Sequence, residues 1–202
     1  MRSDGSPDRR TRTLDEIWHR PQLALAGHFE SDFVVATNDR VAILIRDVAC
    51  YLSGFHMALE TVPRYVDDVG NEDYGDLFWR TRRGTDPSPQ LLRVEIAYAD
   101  GKRASTVDAV DPMSDLDNLY AGGPEQLRLQ LGDGGGGGGS WSFSLWVTPL
   151  PPDGPVTFTC AWPALGVEPT DLTVQGSRFV EAARKARPIF EGVQDHGEGS
   201  TH

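Results

Sequence analysis

The sequence predicts a mainly β protein, an antiparallel β-sandwich of seven to nine strands with one C-terminal helix. Three observations carry that expectation. Apolar residues through the middle of the chain recur with period two, most clearly in Trp141-Ser-Phe-Ser-Leu-Trp-Val147. Turn dipeptides (Asn38-Asp39, Ser53-Gly54, Asp100-Gly101) punctuate those runs. Only Ser177 to Ala186 has convincing helical spacing, with Phe179, Ala182, Ala183 and Ala186 on one stripe.

Residues 1–20 are polar and charged and read as a mobile arm, with room for a turn of helix from Leu14 to Trp18 capped by Thr13 and Glu16. A single β-sandwich domain follows over 21–191, and the Gly-rich, polar stretch 192–202 reads as a disordered tail. Within the domain, Phe33 to Ala36 is a short strand. In the next run Val41, Ile43 and Ile45 share a face. Val48 to Leu52 and Phe55 to Val62 then pair through Ser53-Gly54. Residues 63–89 interrupt the alternation with prolines and aspartates around an apolar Leu77-Phe-Trp79. Strands resume at Leu91 to Ala99 and Arg103 to Val107, joined by the hairpin signal Asp100-Gly101. After an aspartate-rich stretch, Leu127 to Leu131 alternates and runs into Gly134 to Gly139, six consecutive glycines. These read as a flexible hairpin connection to the Trp141 strand. Val156 to Trp162 is a further strand, Asp171 to Val174 a short last one, and Ser177 the expected cap of the helix. Ile189 and Phe190 are expected to complete the helix's apolar face.

Composition narrows the function classes. The formal net charge of -11 repels phosphate backbones, so nucleic acid is not an expected partner. No run approaches the roughly 20 apolar residues that span a bilayer, and no apolar segment follows the N-terminal arginines, so a cytoplasmic location is expected. Cys50 and Cys160 sit in apolar strands and read as buried thiols that allow one bridge at most.

Several stretches carry a resemblance. They are the double strand Val41 to Val62, the turn Tyr98-Ala-Asp-Gly101, the glycine run with Trp-x-Phe-x-Leu-Trp-Val-x-Pro-Leu-Pro-Pro after it, and Phe158-x-Cys-x-Trp-Pro163. With their flanks, about half the chain is similar to an uncharacterised family of β-rich actinobacterial proteins. The resemblance implies a shared fold and supplies no catalytic residue.

Candidate sites are few. The glycine run lacks the Gly-Lys-Ser/Thr and following helix of a phosphate loop. Trp146 shares parity with Ser142 and Ser144, on the strand face where water is expected. An exposed aromatic there could dock a protein partner, unless the helix or the 63–89 segment covers it. Asp115 and Asp117 could offer oxygens to calcium, although no EF-hand glycine or distal glutamate accompanies them. Glu60 and Glu95 could form a carboxylate pair in a sheet cleft, with His56 as a further acid or base. No Gly-x-Ser-x-Gly elbow exists. The preferred expectation is a non-enzymatic binding or assembly module without a cofactor, whose partner is another protein or a second copy. The alternatives are a hydrolase or carbohydrate-active enzyme using those carboxylates, and a calcium-stabilised β module.

Overall fold

Alternating side chains give each long strand one apolar face, and two sheets bury those faces against each other. The computed structural model describes residues 19–65, 91–107, 123, 125–137 and 139–190. In chain order the elements are β1 (Ala24–Leu25), β2 (Gly27–His28), β3 (Phe33–Thr37), β4 (Val41–Tyr51), β5 (Gly54–Pro63), β6 (Arg93–Tyr98) and β7 (Arg103–Ser105). Then come β8 (Arg128–Gly137), β9 (Ser140–Thr148), β10 (Pro155–Trp162), a 3-10 turn (Pro163–Leu165), β11 (Val167–Gln175), α1 (Gly176–Ala183) and β12 (Arg187–Pro188).

The larger sheet runs β2-β4-β5-β9-β8, with β3 also pairing β4; the smaller runs β11-β10-β6-β7, and every pairing is antiparallel. Ile43, Ile45, Phe55, Met57, Leu59, Leu145 and Val147 of the large sheet meet Val94, Ile96, Val156, Phe158, Cys160 and Trp162 of the small one in a single core. The sandwich therefore stands as expected, with one α-helix among the described residues. Among the described residues the strands outnumber the expectation because the two-residue pieces β1, β2 and β12 carry no period; β11 is also longer than Asp171 to Val174. At one margin β11 packs on β3, and at the other β7 approaches β8.

α1 closes one end of the sandwich. Phe179, 1% exposed, places its ring 4.6 Å from Phe55, 5.0 Å from Phe29 and 6.4 Å from Phe158. Strand β2 lies so close that a Cβ on Gly27 would fall 1.7 Å from the Ala182 carbonyl oxygen. Two local expectations fail here. The N-cap is Gln175, without a side-chain cap, and Ser177 lies inside the helix. Nor do Ile189 and Phe190 complete its apolar face, being 48% and 58% exposed. Instead β12 turns back to pair with β1, and the Ile189 amide donates to the Leu23 carbonyl at 2.8 Å. The expected N-terminal helical turn, the Leu77-Phe-Trp79 anchor and the 192–202 tail lie outside the described residues.

Candidate functional site

The large sheet has a second face, turned away from the core, and its registers bring the sequence candidates together. Ala49, His56, Trp146 and Gln130 form one row across β4, β5, β9 and β8. Ala58 and Ser144 are paired in the next row, and Glu60 and Ser142 in the one beyond.

Trp146 is on the expected face but not in water: it is 5% exposed. It clusters with Ala49 and Tyr51, and Ala24 and Ala26 pack on that cluster. The Tyr51 ring meets it edge-on at 5.8 Å, and the Arg20 Nε–H donates to the Tyr51 hydroxyl at 2.9 Å. Gly54 makes room for the indole, since a Cβ there would lie 2.9 Å from ring atom Cζ2. The cover is therefore the segment that contains β1, rather than an open surface. Two donors under it have no hydrogen-bond partner among the described residues, the Trp146 indole Nε1–H and the Gln130 Nε2 amide; Gln130 is 4% exposed. Buried donors left unpaired cost free energy, so such a pair calls for an explanation.

His56 and Ser144 sit diagonally across β5 and β9, and His56 Nε2 lies 2.6 Å from Ser144 Oγ. Burial, with Arg20 nearby, pushes the imidazole pKa below its ordinary 6.5; the Asp47 backbone and carboxylate pull the other way. In the tautomer with its proton on Nδ1, Nε2 accepts and Ser144 donates to it; in the other tautomer the roles reverse. Asp47 belongs to a bulge between Arg46 and Ala49 and has φ 52°, the left-handed region that non-glycine residues seldom occupy. Gly132 packs closely on Ser144 from β8: a Cβ there would lie 3.0 Å from Oγ and 3.1 Å from Cβ, so the close approach of the two strands needs glycine.

The remaining candidates are not assembled. Glu60 pairs with Arg46 at 3.2 Å, and Glu95 with Arg103. Glu60 alternates with core-facing Leu59 and Thr61 on the large sheet, while Glu95 alternates with Val94 and Ile96 on the small one. The two carboxylates therefore point out of opposite sides of the sandwich and share no cleft, which removes the expected pair. Asp115 and Asp117 lie outside the described residues, among which no group of three metal-ligating side chains occurs. Cys50 and Cys160 are buried free thiols, each pushed up to about 12 by burial, and form no bridge.

The glycine run differs most from expectation. Gly134 to Gly137 are strand, opposite Phe143, Ser142, Trp141 and Ser140, and the chain turns only beyond them, where Gly139 has φ 91°. Phe143 and Trp141, stacked at 6.5 Å, lie over the glycines: a Cβ on Gly134 would come within 2.6 Å of the Phe143 ring, and one on Gly136 within 2.5 Å of the Trp141 ring. Aromatic side chains crossing bare backbone are what hold the run in the sheet. Gly135 and Gly137, on the other parity, meet nothing within 4 Å among the described residues. Among the described residues β8 pairs only with β9, so within them it is an edge strand of the large sheet. No sequence signal pointed to Gln130 or to this edge, because Leu127 to Leu131 reads as an ordinary alternating strand and glycine has no side chain to alternate.

No protein-family model, curated protein or solved structure matches the chain. Among the described residues no helix is long and apolar enough to cross a membrane.

Proposed function

We propose that the protein is a binding or assembly module that takes up an extended polypeptide strand, from a second copy or another protein, along the outer edge of β8. One observation carries this reading. Among the described residues nothing lies within 4 Å of where a side chain would go on Gly135 or Gly137, so their packing does not require glycine there. Each nevertheless costs about 0.5–1 kcal/mol of backbone entropy relative to alanine. Glycine retained in a strand without a packing reason fits close approach by another backbone. An edge strand also supplies the unpaired amides and carbonyls on which strand addition depends. The net charge of -11 favours a polypeptide over a nucleic acid as the partner. Two unbridged cysteines fit a reducing, cytoplasmic setting.

Lysines on an edge strand oppose strand addition, and here they would project into open space. The test compares wild type with the double variant Gly135→Lys/Gly137→Lys. Sedimentation velocity across a concentration series reports self-association. Capture from the host lysate with quantitative mass spectrometry reports a foreign partner. A dimer, or a stoichiometric protein, seen with wild type and lost in the folded variant supports the reading and identifies the source of the strand. A wild-type monomer with the same captured proteins as the variant refutes it.

A further inference from the structure

We infer that residues 19–26, the segment carrying β1, form an acid-opened strap: it closes over the Trp146 and Tyr51 rings when His56 is neutral and lifts when His56 is protonated. The device is independent of strand addition at β8. Its hold on the sheet is slight. After the pivot between Ala26 and Gly27 the chain is pinned, because a Cβ on Gly27 would strike the Ala182 carbonyl and β2 pairs with Cys50 and Ala49. Before the pivot, among the described residues, β1 pairs with just Arg187 and Pro188 of β12, and Leu25 is 46% exposed. The contacts that press on the covered rings are the small side chains of Ala24 and Ala26 and the exposed Arg20. Arg20 donates from Nε to the Tyr51 hydroxyl at 2.9 Å, with its guanidinium carbon 5.8 Å from the centre of that ring. Closure also leaves the Trp146 indole N–H and the Gln130 amide dry, and lifting the strap lets water satisfy them.

His56 couples this closure to pH. It stands between Ala49 and Trp146 in the row that the strap covers, and it is half-buried there. Closing the strap dries the ring and brings the Arg20 charge near it, and both effects disfavour imidazolium. Asp47 favours imidazolium, but it belongs to the β4 bulge and stays beside the ring whether the strap is down or up. A group that acts equally on both states shifts neither. The remaining charged groups of this face are also fixed in the large sheet. Arg46 and Glu60 pair with each other at 3.2 Å, Arg128 lies opposite Thr148 on β8, and Tyr51 on β4 accepts from Arg20. His28, opposite Ala49, is exposed and on the pinned side of the pivot. His19 travels with the strap, beside Arg20. Neutral His56 therefore holds the strap closed above pH 6.5, and protonation as pH falls below that value favours the open form.

Hydrogen exchange tests the strap at the Ile189 amide, which donates to the Leu23 carbonyl, and across residues 19–26. Rates corrected for intrinsic exchange are compared at about pH 7.5 and about pH 5.5, one unit either side of the ordinary imidazole value. Protection should fall by up to about tenfold on acidification, the limit reached when the open state alone titrates near 6.5. His56→Gln, checked for folding by circular dichroism, should abolish that fall, and His28→Gln should keep it. Low urea should leave exchange of the strap level while it raises that of core amides such as Ile43 and Leu145, which marks local opening. Arg20→Gln, at an exposed position, loses the bond to Tyr51 and should lower protection at about pH 7.5 by about 2–12-fold, with a smaller further fall on acidification. This variant carries the test if His56→Gln does not fold. A fall in wild type below about twofold, a full fall in His56→Gln, its loss in His28→Gln, a urea dependence equal to that of the core, or wild-type exchange in Arg20→Gln would each overturn the inference.

Discussion

The glycine strand makes a prediction with alternating sign. Alanine at Gly134 or Gly136 must place a methyl group 2.6 Å from the Phe143 ring or 2.5 Å from the Trp141 ring. At Gly136 it also meets the Ser140 carbonyl oxygen at 2.7 Å, and backbone cannot swing away as a ring can. Overpacking of that kind costs about 1–3 kcal/mol. Alanine at Gly135 or Gly137 meets nothing within 4 Å and only restricts the unfolded chain, a gain of about 0.4–1 kcal/mol. At about 2–4 °C per kcal/mol for a domain of this size, Gly134→Ala and Gly136→Ala should lower Tm by about 2–12 °C. By the same conversion Gly135→Ala and Gly137→Ala should raise it by about 1–4 °C. Four single variants melted under one buffer condition give the answer, with urea midpoints as a check that the slope m is unchanged. A period-two sawtooth is expected, with Gly136→Ala lowest. Four shifts of the same sign, or four near zero, would mean that the aromatics do not cross the run and that it is a loose connection after all.

Three other outcomes follow from the packing and the titration behaviour. Phe179→Ala removes the ring at the junction of Phe29, Phe55 and Phe158, so unfolding free energy should fall by about 3–5 kcal/mol in urea titrations; a loss below 1 kcal/mol would deny α1 its role in closing the core. The His56 pKa is lowered in the folded state by desolvation, so below pH 6.5 the unfolded chain binds the extra proton first. Stability from this group is therefore complete above pH 6.5 and declines as pH falls toward the folded value. Urea midpoints should show that decline in wild type and a flatter dependence in His56→Gln. Cys50 and Cys160, with thiols pushed up to about 12, should resist a thiol reagent at pH 8 until denaturant is added and then react as two equivalents; rapid native labelling would contradict their burial.

What the sequence made legible was whatever a side-chain period can express. The β9 and β10 runs put Leu145, Val147, Val156, Phe158 and Cys160 on the core face as their alternation requires, and Ser53-Gly54 and Asp100-Gly101 mark real reversals. Period is silent where a residue has no side chain, which is why four glycines of β8 read as a loop although Phe143 and Trp141 supply the missing packing from the neighbouring strand. It is also weak on an edge: β11 faces solvent over Glu168 to Asp171 and carries Pro169, so its outer residues are chosen to discourage pairing rather than to alternate.

The candidate site shows a third limit. Parity correctly assigned Trp146, Ser142 and Ser144 to one face, but a strand's period says which side chains share a face and nothing of what lies over it. Here the cover is the β1 segment, more than 100 residues away in sequence, whose Ala24 and Ala26 are small enough to let it pack close above the indole. Ser144 and His56, 88 residues apart, meet only because the β5–β9 register sets His56 opposite Trp146 and hence diagonal to Ser144. A slip of one residue would turn every side chain of one strand to the other face, sending His56 into the core and Phe55 into the outer row. The apolar core therefore enforces the register, and the register assembles the polar pair. Core packing thus holds that geometry in place, so substitutions at His56 and Ser144 can remove the hydrogen bond while the core contacts of Phe55, Met57 and Leu145 stay intact.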